Sequence, residues 1–459
     1  MLDIIADLHL HSKYSRAVSP QMNLFSMSEV ARQKGIDILA TGDWTHPLWT
    51  AEIKSKLVES EEGLYSLKEE NETRFLLSTE VATIFSQKGK GKRIHQLIFA
   101  PDIVTVEKIN KEFKKRGFNL VSDGRPILGI SSKNLLELIL EIDERCLLIP
   151  AHIWTPWFGV YGQMSGFDSL EEAYEDMAQY VYGIETGLSS DPEMNWQMKE
   201  LNTRSILSFS DAHSLAKMGR EVTIFGLESL SYENIRQAII QPSLVASKQS
   251  LVKDQKLKTQ DKVLSTIEFY PEEGKYHYSG HRKCGISQTP SEQILSKSIC
   301  PICGRKVTDG VMRRVEELSE YKNTAKKKNE DGIVWIEDKN NIHPPFVRIV
   351  PLNEIIAQAI GSPVESPRVK FIFDNFLKKG LSEFDVLLRL NKEKIEDALK
   401  LITNSEKARK IADGIEKVRS EKLSIEPGFD GLYGTVKIWE NNSNQTKFKQ
   451  KINQITLDI

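Results

Sequence analysis

Seven short apolar runs recur along the first half of the chain, and each contains or adjoins ionisable residues. The runs are LDIIADLHLH, DILATGDW, RFLLSTEV, HQLIFAP, CLLIPAHIW, YGIETG and SILSFSDAH. Among their ionisable residues are His9, His11, Asp43, Glu80, His95, His152, Glu185, Asp211 and His213. Helix-like segments separate the runs, and such alternation is typical of an α/β fold. Because functional groups of parallel α/β barrels lie where strands end, the pattern predicts a site at one barrel mouth.

The first run ends in DLHLHS, where His9 and His11 are two residues apart. Alternate residues of a strand point to the same face, so we expect both imidazoles to converge on one point. Asp211 and His213 repeat this spacing in SDAH. A single side chain of this kind at a strand end is usually solvated or hydrogen-bonded within the protein and binds no ligand. Five histidines at predicted strand ends, with carboxylates beside them, instead indicate a multinuclear metal site.

Composition limits the class of protein. At 459 residues the chain is too long for one ordinary domain, and we expect two or three. Its 62 Lys and Arg nearly balance 64 Asp and Glu, so a nucleic acid could bind only to a local surface. No apolar run approaches the ~18 residues of a membrane span, and candidate metal ligands close to Met1 leave no space for a signal peptide. We therefore expect a cytoplasmic protein with no membrane partner.

Three of the four cysteines cluster beyond a lysine-rich stretch that predicts a linker over residues 251–265. The segment GHRKCGI contains an HxxC pair, and ICPICGRKV contains a CxxC pair. Two such pairs are typical of a closed tetrahedral zinc site, so they predict a small zinc ribbon with one structural zinc over residues 266–312. The predicted ligands are His281, Cys284, Cys300 and Cys303, with His277 as an alternative to His281.

A basic run follows and predicts a helix and linker over residues 313–345, either solvated or in contact with a phosphate backbone. Its cations are Arg313, Arg314, Lys322, Lys326, Lys327 and Lys328. Apolar residues at helical spacing then predict a helical C-terminal domain over residues 346–435. The polar residues 436–459 predict a flexible tail.

The motifs DLHLHSKYS, ATGDW, STEV, HQLIF, PAHIW and SFSDAH together resemble those of the polymerase and histidinol phosphatase (PHP) family. The resemblance implies a distorted seven-stranded (β/α) PHP barrel over residues 1–250. It also implies a set of metal ligands, namely His9, His11, Asp43, Glu80, His95, His152, Asp211 and His213. Within this set Glu80 bridges two metals. The motif that usually reads TDH reads TGD here, so Asp43 or His46 remains open as the last ligand.

This implied ligand set predicts the chemistry. Imidazoles with carboxylates suit two or three divalent metals, either Zn, Mn or Fe, and Mg is a further candidate in assays. A bridging carboxylate holds two cations close enough to share a hydroxide and a phosphate oxygen, which predicts metal-assisted phosphoester hydrolysis. We expect Asp211, Glu80 and His9 to be the catalytic residues, with Asp211 also positioning the attacking water.

The whole chain, including RRVEEL and RIVPLNEIIAQAIG, resembles the endonuclease Q family of PHP-type DNA repair nucleases. The resemblance implies a metal-dependent DNA endonuclease that cuts on the 5′ side of deaminated bases, such as uracil and hypoxanthine, and at abasic sites. The products would carry a 3′-hydroxyl and a 5′-phosphate. The expected partner is lesion-containing DNA, and a sliding clamp is a further candidate. Two alternatives are a phosphomonoesterase of a small phosphate ester and a non-catalytic nucleic-acid binding protein.

An aromatic segment, IWTPWFGVYG, starts directly after His152. A base flipped out of a duplex needs aromatic surface to replace its lost stacking, so this loop predicts base contacts. The alternative is a loop that only packs over the barrel. The expected base contacts are Trp154, Trp157, Phe158 and Tyr161, and the expected phosphate contacts are Tyr14 and Arg16, which follow the HxH pair.

Overall fold

Strands and helices alternate through the first half of the computed structural model, which describes residues 1–249, 260–322, 324–378 and 380–439. The predicted linker and tail therefore lie partly outside the described residues. The strands are β1 (Leu2–Asp7), β2 (Ile38–Ala40), β3 (Leu57–Glu61), β4 (Leu64–Leu67), β5 (Glu70–Gln87), β6 (Lys90–Ala100), β7 (Ile127–Leu128), β8 (Leu147–Pro150), β9 (Gly183–Glu185), β10 (Ser205–Leu207), β11 (Val222–Leu227), β12 (Lys262–Glu268), β13 (Ser279–His281), β14 (Ile286–Gln288), β15 (Ala325–Glu330), β16 (Ile333–Asp338), β17 (Phe346–Arg348), β18 (Ser424–Glu426) and β19 (Thr435–Lys437).

The α-helices are α1 (Leu24–Lys34), α2 (Pro47–Lys56), α3 (Ile103–Lys115), α4 (Ser132–Ile142), α5 (Leu170–Tyr174), α6 (Pro192–Asn195), α7 (Tyr232–Gln249), α8 (Pro290–Leu295), α9 (Val311–Leu318), α10 (Leu352–Ile360), α11 (Pro367–Leu377), α12 (Glu383–Leu388), α13 (Lys392–Lys400) and α14 (Ser405–Arg419). The first of them shows how local sequence sets helix ends. The Asn23 side chain accepts a hydrogen bond from the Ser26 N–H at the start, and Gly35 ends the helix at φ 82°. In the described part of the chain, no helix is long and apolar enough to cross a membrane.

A large mixed sheet forms the centre of the molecule, which confirms the predicted α/β class. Among the described residues it contains thirteen strands, with the order β15-β16-β17-β12-β11-β1-β2-β5-β4-β3 and with β6, β7 and β8 attached through β5 and β6. Strands β9 and β10 form a separate parallel pair. The sheet is mixed because β1–β2 and β2–β5 are parallel, whereas β5–β6 and β6–β8 are antiparallel.

Two further connections bring the strand ends together. The N–H of Ile153, just after β8, donates to the carbonyl of Glu185 at the end of β9 over 3.1 Å. A parallel bridge between Leu10 and Ala212 joins the segments that follow β1 and β10. The carboxyl ends of β1, β8, β9 and β10 are therefore neighbours, and most of the polar residues that the pattern singled out lie at or just after them. Glu80 and His95 differ from the prediction, because they lie inside the longer strands β5 and β6 and not at strand ends.

The apolar runs are buried on both faces. In β1, Ile4 and Ala6 belong to one buried apolar cluster and Ile5 belongs to the other. A strand that is covered on both faces reads as a continuous apolar run instead of an alternating one, as observed. The core thus continues on both sides of the strands that carry the site.

The basic run forms a hairpin, which corrects part of the predicted helix and linker. Only α9 is helical, and β15 and β16 pair antiparallel after it. The β-branched and aromatic residues of β16 favour a strand, and Lys326 lies opposite Glu337 across the hairpin at 3.2 Å. Lys327 pairs with Glu421 at 2.5 Å, and Lys328 pairs with Glu330 at 2.9 Å. Each of the three consecutive lysines therefore forms an ion pair with a carboxylate at the surface.

Helices α10 to α14 form the predicted helical region, and α14 packs against both α10 and α13. Short strands β17, β18 and β19 lie within or beside it, which the helical spacing did not predict. A buried ion pair connects this region to the first half of the chain, because the Lys34 Nζ at the end of α1 lies 2.8 Å from the Glu383 carboxylate of α12. The two regions are therefore packed together.

Candidate metal centre

Three overlapping groups of His, Asp and Glu side chains meet where the strand ends converge. In each group the ligand atoms lie within 4.8 Å of one another. The groups are His9, His11 and Glu80; Glu80, His95 and His152; and His11, Asp211 and His213. Seven of the eight expected ligands are therefore together, and Asp43 is the exception.

The HLH segment and the DAH segment lie side by side and contact each other through their backbones. The middle residues of HLH and DAH, Leu10 and Ala212, form the parallel bridge, and the His11 N–H donates to the Ala212 carbonyl at 3.2 Å. Both middle side chains are buried in the apolar core. The flanking polar residues consequently turn to the opposite side, where they share one pocket.

Glu80 lies at the centre of the pocket and is buried. Its Oε1 is 2.7 Å from the His95 Nδ1 and 3.1 Å from the His152 Nε2. Its Oε2 is 3.2 Å from the His11 Nε2. One carboxylate thus faces two groups of imidazoles, which is the geometry of a bridging ligand.

Three buried polar atoms in this pocket have no hydrogen-bond partner in the described structure. They are the Nε2 atoms of His9 and His11 and the Oδ1 atom of Asp211. The Asp211 Oδ1 lies 3.5 Å from the first nitrogen and 3.2 Å from the second. Unpartnered polar atoms in a protein interior are unfavourable, and nitrogen and carboxylate oxygen converging on one point are what a divalent cation binds. These residues therefore fit a metal.

Glu185 holds the imidazole of one ligand and the backbone of another. Its Oε1 accepts a hydrogen bond from the His9 Nδ1 at 2.8 Å, and its Oε2 accepts one from the His152 backbone N–H at 2.8 Å. A bond at Nδ1 sets the tautomer and leaves Nε2 free to bind a metal. Glu185 is one of the ionisable residues from which the sequence predicts the barrel-mouth site, but the sequence assigns it no role there.

Asp43 holds the outer nitrogen of His11, as Glu185 does for His9. It is not a member of the three ligand groups. Its Oδ1 accepts from the His11 Nδ1 at 3.0 Å, and its Oδ2 accepts from the backbone N–H and the hydroxyl of Ser12 at 2.6 and 2.7 Å. Both oxygens are thus occupied. His46 lies outside the three groups, because its ring stacks on Tyr14 and its Nε2 is 3.2 Å from the Val121 carbonyl oxygen.

Carboxylates, imidazoles and one guanidinium shift each other's pKa values in this pocket. Burial disfavours a charged imidazole, yet the carboxylates of Glu185 and Asp211 raise the pKa of His9 well above its usual value. Burial likewise disfavours a charged carboxylate, but His95 and Arg125 hold the pKa of Glu80 well below its usual value. Such a site attracts cations, and protons compete with metal for its nitrogen atoms.

Backbone strain is concentrated in the same place. Three non-glycine residues of the pocket adopt positive φ angles, namely Asp43 at 46°, His152 at 31° and Asp211 at 47°. Each such conformation costs on the order of 1–3 kcal/mol, and residues of this kind cluster at functional sites.

Arg125 borders the pocket and was missed by the sequence analysis. Its Nη1 lies 3.0 Å from the Glu80 Oε2, and the charges of Glu80 and Asp211 raise its pKa. It lies in the loop SDGRPI, and an arginine in a polar loop has no spacing that distinguishes it from an ordinary surface residue. Only the folded structure brings it to Glu80.

The aromatic loop divides into a buried part and a rim, which corrects the expectation for two residues. Trp154 and Tyr161 are buried in the core, where the indole N–H donates to Asn195 at 2.8 Å and the phenol donates to Glu200 at 2.7 Å. They therefore have no surface to offer to a base. The other two expected contacts, Trp157 and Phe158, remain on the rim: 39% of Trp157 is exposed, and the ring of Phe158 lies 4.2 Å from that of His95.

The expected phosphate contacts lie beside the pocket. The Tyr14 hydroxyl donates to Glu52 at 2.7 Å, whereas the Arg16 guanidinium is largely exposed and its Nε is 3.7 Å from Asp123. Arg314 of the basic run points into the protein instead of toward solvent. It donates to the carbonyls of Tyr161 and Phe167 at 3.1 Å each, so it holds the aromatic loop and is not free to bind a phosphate backbone.

A second group of ligands lies away from this pocket, on the β13–β14 hairpin and the CxxC turn. The ligand atoms of all four predicted residues, His281, Cys284, Cys300 and Cys303, lie within 4.8 Å of one another. Although burial opposes the shift, backbone N–H groups near the CxxC turn lower the pKa of the Cys300 thiol to about 6. One nitrogen and three sulfurs fit a tetrahedral zinc ion. The alternative ligand His277 is buried outside this group.

No family model matches the chain. It is 29% identical to an uncharacterized protein of Methanocaldococcus jannaschii over 291 residues, which are 62% of this chain and 31% of that relative. The chain thus matches about a third of the length of the archaeal relative. It is also 26% identical to the uncharacterized protein YqxK of Bacillus subtilis over 463 residues, covering 95% of this chain and all of the relative.

Two crystal structures resemble the whole fold. The lesion-specific endonuclease PfuEndoQ from Pyrococcus furiosus has a TM-score of 0.77 and 29% identity, with 97% of this chain and 99% of that chain covered. Endonuclease Q in complex with a 27-mer duplex substrate, with an abasic lesion at the active site, has a TM-score of 0.75 and 30% identity, with 97% and 100% covered. The identity and coverage confirm the resemblance seen in the motifs, and the chain belongs to the endonuclease Q family and is an endonuclease.

Proposed function

We propose that the protein is a metal-dependent DNA endonuclease that hydrolyses the phosphodiester on the 5′ side of a deaminated base or an abasic site, leaving a 3′-hydroxyl and a 5′-phosphate. One observation carries the proposal: the buried, unpartnered atoms of His9, His11 and Asp211 converge beside Glu80 in a member of the endonuclease Q family. The related endonuclease Q binds a duplex with an abasic lesion at its active site, and this supports the same substrate class here.

The strand pairings support a barrel. Strands β1, β2, β5, β6, β8, β9 and β10 follow one another through their hydrogen bonds and the Leu10–Ala212 bridge. We assign them to the distorted seven-stranded PHP barrel and residues 266–312 to the zinc ribbon. We retain 1–250 for the barrel, whereas two other predicted boundaries need correction. Strand β12 crosses the boundary between the predicted linker (251–265) and the ribbon, because it pairs with β11 in the central sheet. Strand β19 crosses the predicted start of the tail at residue 436, because it pairs with β18. A sliding clamp as a further partner stays a prediction.

The ligand groups support two or three divalent metals, with Zn, Mn or Fe as the candidates, and one zinc in the ribbon. When bound, the barrel metals would supply a water of low pKa and positive charge against the phosphate. Glu80 lies between two imidazole groups and would hold both ions. Because Glu185 and Asp43 fix the outer nitrogens of His9 and His11, these rings are held with Nε2 directed inward.

The chain's own part in catalysis centres on Asp211. Its Oδ1 faces the histidines, whereas part of its side chain is exposed to the mouth of the pocket. It is therefore placed to hold the attacking water in line by accepting a hydrogen bond from it on a carboxylate oxygen. Phe158, whose ring lies beside that of His95, and the exposed Trp157 next to it in the chain are placed to contact an extruded base.

The test is incubation of the metal-loaded protein with labelled duplexes that contain uracil, hypoxanthine, an abasic site or no lesion, with p-nitrophenyl phosphate as a small ester. We expect incision 5′ to each lesion, no incision of the unmodified duplex, and products that a DNA ligase can rejoin. Cleavage of the small ester alone would support a phosphomonoesterase. Tight DNA binding without cleavage under any metal would support a non-catalytic binding protein.

A further inference from the structure

The loop that follows α3 places one guanidinium at the mouth of the metal pocket. We propose that Arg125 binds the non-bridging oxygens of the scissile phosphate, so that it is a further catalytic residue of this enzyme. The inference rests on the proposed function, because it requires a phosphodiester in the pocket. The Arg125 Nη1 lies 3.0 Å from the Glu80 Oε2, while 26% of the side chain is exposed.

The backbone of residues 123–126 is fixed at several points, so the guanidinium starts from a rigid base. The Gly124 N–H donates to the Tyr14 carbonyl at 3.1 Å, and the Gly124 carbonyl accepts from the Thr45 hydroxyl at 2.9 Å. The Pro126 carbonyl accepts from the Ala82 N–H at 3.0 Å. These hydrogen bonds tie the loop to the segment after His11, to the segment after Asp43 and to β5 just beyond Glu80.

Gly124 explains how the loop comes so close. A Cβ atom at this position would lie 2.4 Å from the Asp43 Cγ and 2.4 Å from the Ser15 Oγ. Only a residue without a side chain lets the backbone rest against the carboxylate that holds His11. The next residue is then directed over the pocket, within reach of Glu80.

The positive charge of the guanidinium favours the binding of an anionic substrate in this pocket. A phosphodiester is an anion, and it must approach the carboxylates of Glu80 and Asp211. In the described structure, no hydrogen bond of the Arg125 side chain other than that to Glu80 is found. Arginine presents five N–H donors in a planar fork that matches two phosphate oxygens, so donors remain for the substrate.

Experiment can distinguish phosphate binding by Arg125 from a simpler role. Arg125 could serve only as a counter-ion that keeps Glu80 in place, and its loss would then change the binding of metal and not of phosphate. Arg125→Gln removes the charge, and Arg125→Lys keeps the charge but removes the fork. Arg116→Gln is the matched control, because Arg116 lies on the protein surface just after α3 and pairs with Glu112.

The experiment titrates inorganic phosphate into the manganese-loaded proteins by calorimetry, after excess metal is removed and metal content is measured. We expect Arg125→Gln to retain its metals and to bind phosphate about 10- to 150-fold more weakly, as for the loss of a hydrogen bond to a charged group. Arg125→Lys should fall between this variant and the wild type, and Arg116→Gln should equal the wild type. Cleavage of the abasic duplex should fall in the same order.

Two results would overturn the inference. One is unchanged phosphate affinity in both Arg125 variants. The other is loss of barrel metals from both variants, which would assign Arg125 to holding Glu80. If the wild type binds phosphate through Arg125 but cleaves no lesion-containing duplex, the proposed function fails and the phosphate site stands. If it cleaves the duplexes and Arg125 has no effect, only the present inference fails.

Discussion

Glu185 holds His9 through a buried hydrogen bond of 2.8 Å between its Oε1 and the imidazole Nδ1. The second oxygen of the same carboxylate accepts from the His152 N–H. In Glu185→Gln one of these acceptors becomes an N–H₂ donor, so one of the two bonds is lost together with the charge. Changes of this kind behind a metal ligand weaken metal binding about 10- to 100-fold. We expect to measure this loss of affinity when a chelator competes with the protein for the barrel metals.

The control for this prediction is Glu141→Gln, at an exposed residue of α4. It makes the same chemical change away from the pocket and should leave metal affinity as in the wild type. If Glu185→Gln also keeps wild-type affinity, the carboxylate does not position the ligands.

Asp211→Asn should separate catalysis from DNA binding. The change keeps the shape of the side chain but removes the charge that faces His9 and His11, and with it the group that orients the water. Turnover on an abasic duplex should fall at least ~100-fold, within the range found for general acid–base groups. Binding of the uncleaved duplex, measured at one salt concentration, should be nearly unchanged, because backbone contacts outside the pocket dominate affinity. Normal cleavage by this variant would show that the site is misplaced.

The sequence predicted the ligands that depend on local geometry. The HLH motif places its two histidines on one side of an extended segment by a period of two, which needs no knowledge of the fold. Asp43 differs because both of its carboxylate oxygens accept hydrogen bonds from His11 and Ser12, contacts that no local pattern encodes.

Residues brought to the site by packing could not be predicted. Arg125 and Glu80 are 45 positions apart and meet because the loop around Gly124 rests on Asp43. The aromatic loop shows the same limit. Its four aromatic residues are alike in sequence, but tertiary contacts decide that Trp154 faces the core and Trp157 faces solvent.

Cys300→Ser should remove one zinc from the protein and leave the barrel metals in place. Serine cannot replace a thiolate in a tetrahedral zinc site, and the two groups of ligands share no residue. Metal analysis after dialysis reports the outcome, with Cys146→Ala as the control because Cys146 is buried apart from the other cysteines. Loss of metal from both sites in the Cys300 variant would contradict their independence.

Glu268 should make stability depend on pH. Burial raises the pKa of Glu268 to about 8, against hydrogen bonds from Ser208 and Thr266 that lower it. In the unfolded chain this carboxyl releases its proton near its usual pKa of 4.5, whereas the folded protein retains the proton up to about 8. The native state then binds more protons between these values, so stability falls as pH rises, by up to about 1.4 kcal/mol per pH unit.

Denaturant unfolding at pH 5, 6, 7 and 8 tests this dependence. Glu268→Gln keeps a neutral hydrogen-bonding side chain and should lose the contribution of Glu268, so its stability relative to the wild type should rise with pH over this range. Parallel curves for the two proteins would show that the carboxyl titrates at the same pH in both states.

Substitution of Trp157 tests lesion recognition most directly. It is exposed on the rim, and its ring lies 5.3 Å from that of Tyr276, so its removal leaves the core intact. Loss of a stacking partner costs about 1–3 kcal/mol, which corresponds to roughly a 5- to 150-fold fall in rate. Trp157→Ala should therefore cut incision at uracil by this factor. Incision at an abasic site, which offers no base to stack, should fall less.

The comparison requires both substrates at one salt concentration, because weaker phosphate contacts would reduce both rates together. Phe158→Leu extends the test while it keeps an apolar side chain against His95, whose ring lies 4.2 Å away. Tyr180→Ala is the matched control, since Tyr180 has the same 39% exposure as Trp157 but lies outside the aromatic loop. An equal fall on uracil and abasic duplexes, or no fall on either, would mean that the loop only packs over the site. The base must then be recognised by other residues of the mouth or by the helical region.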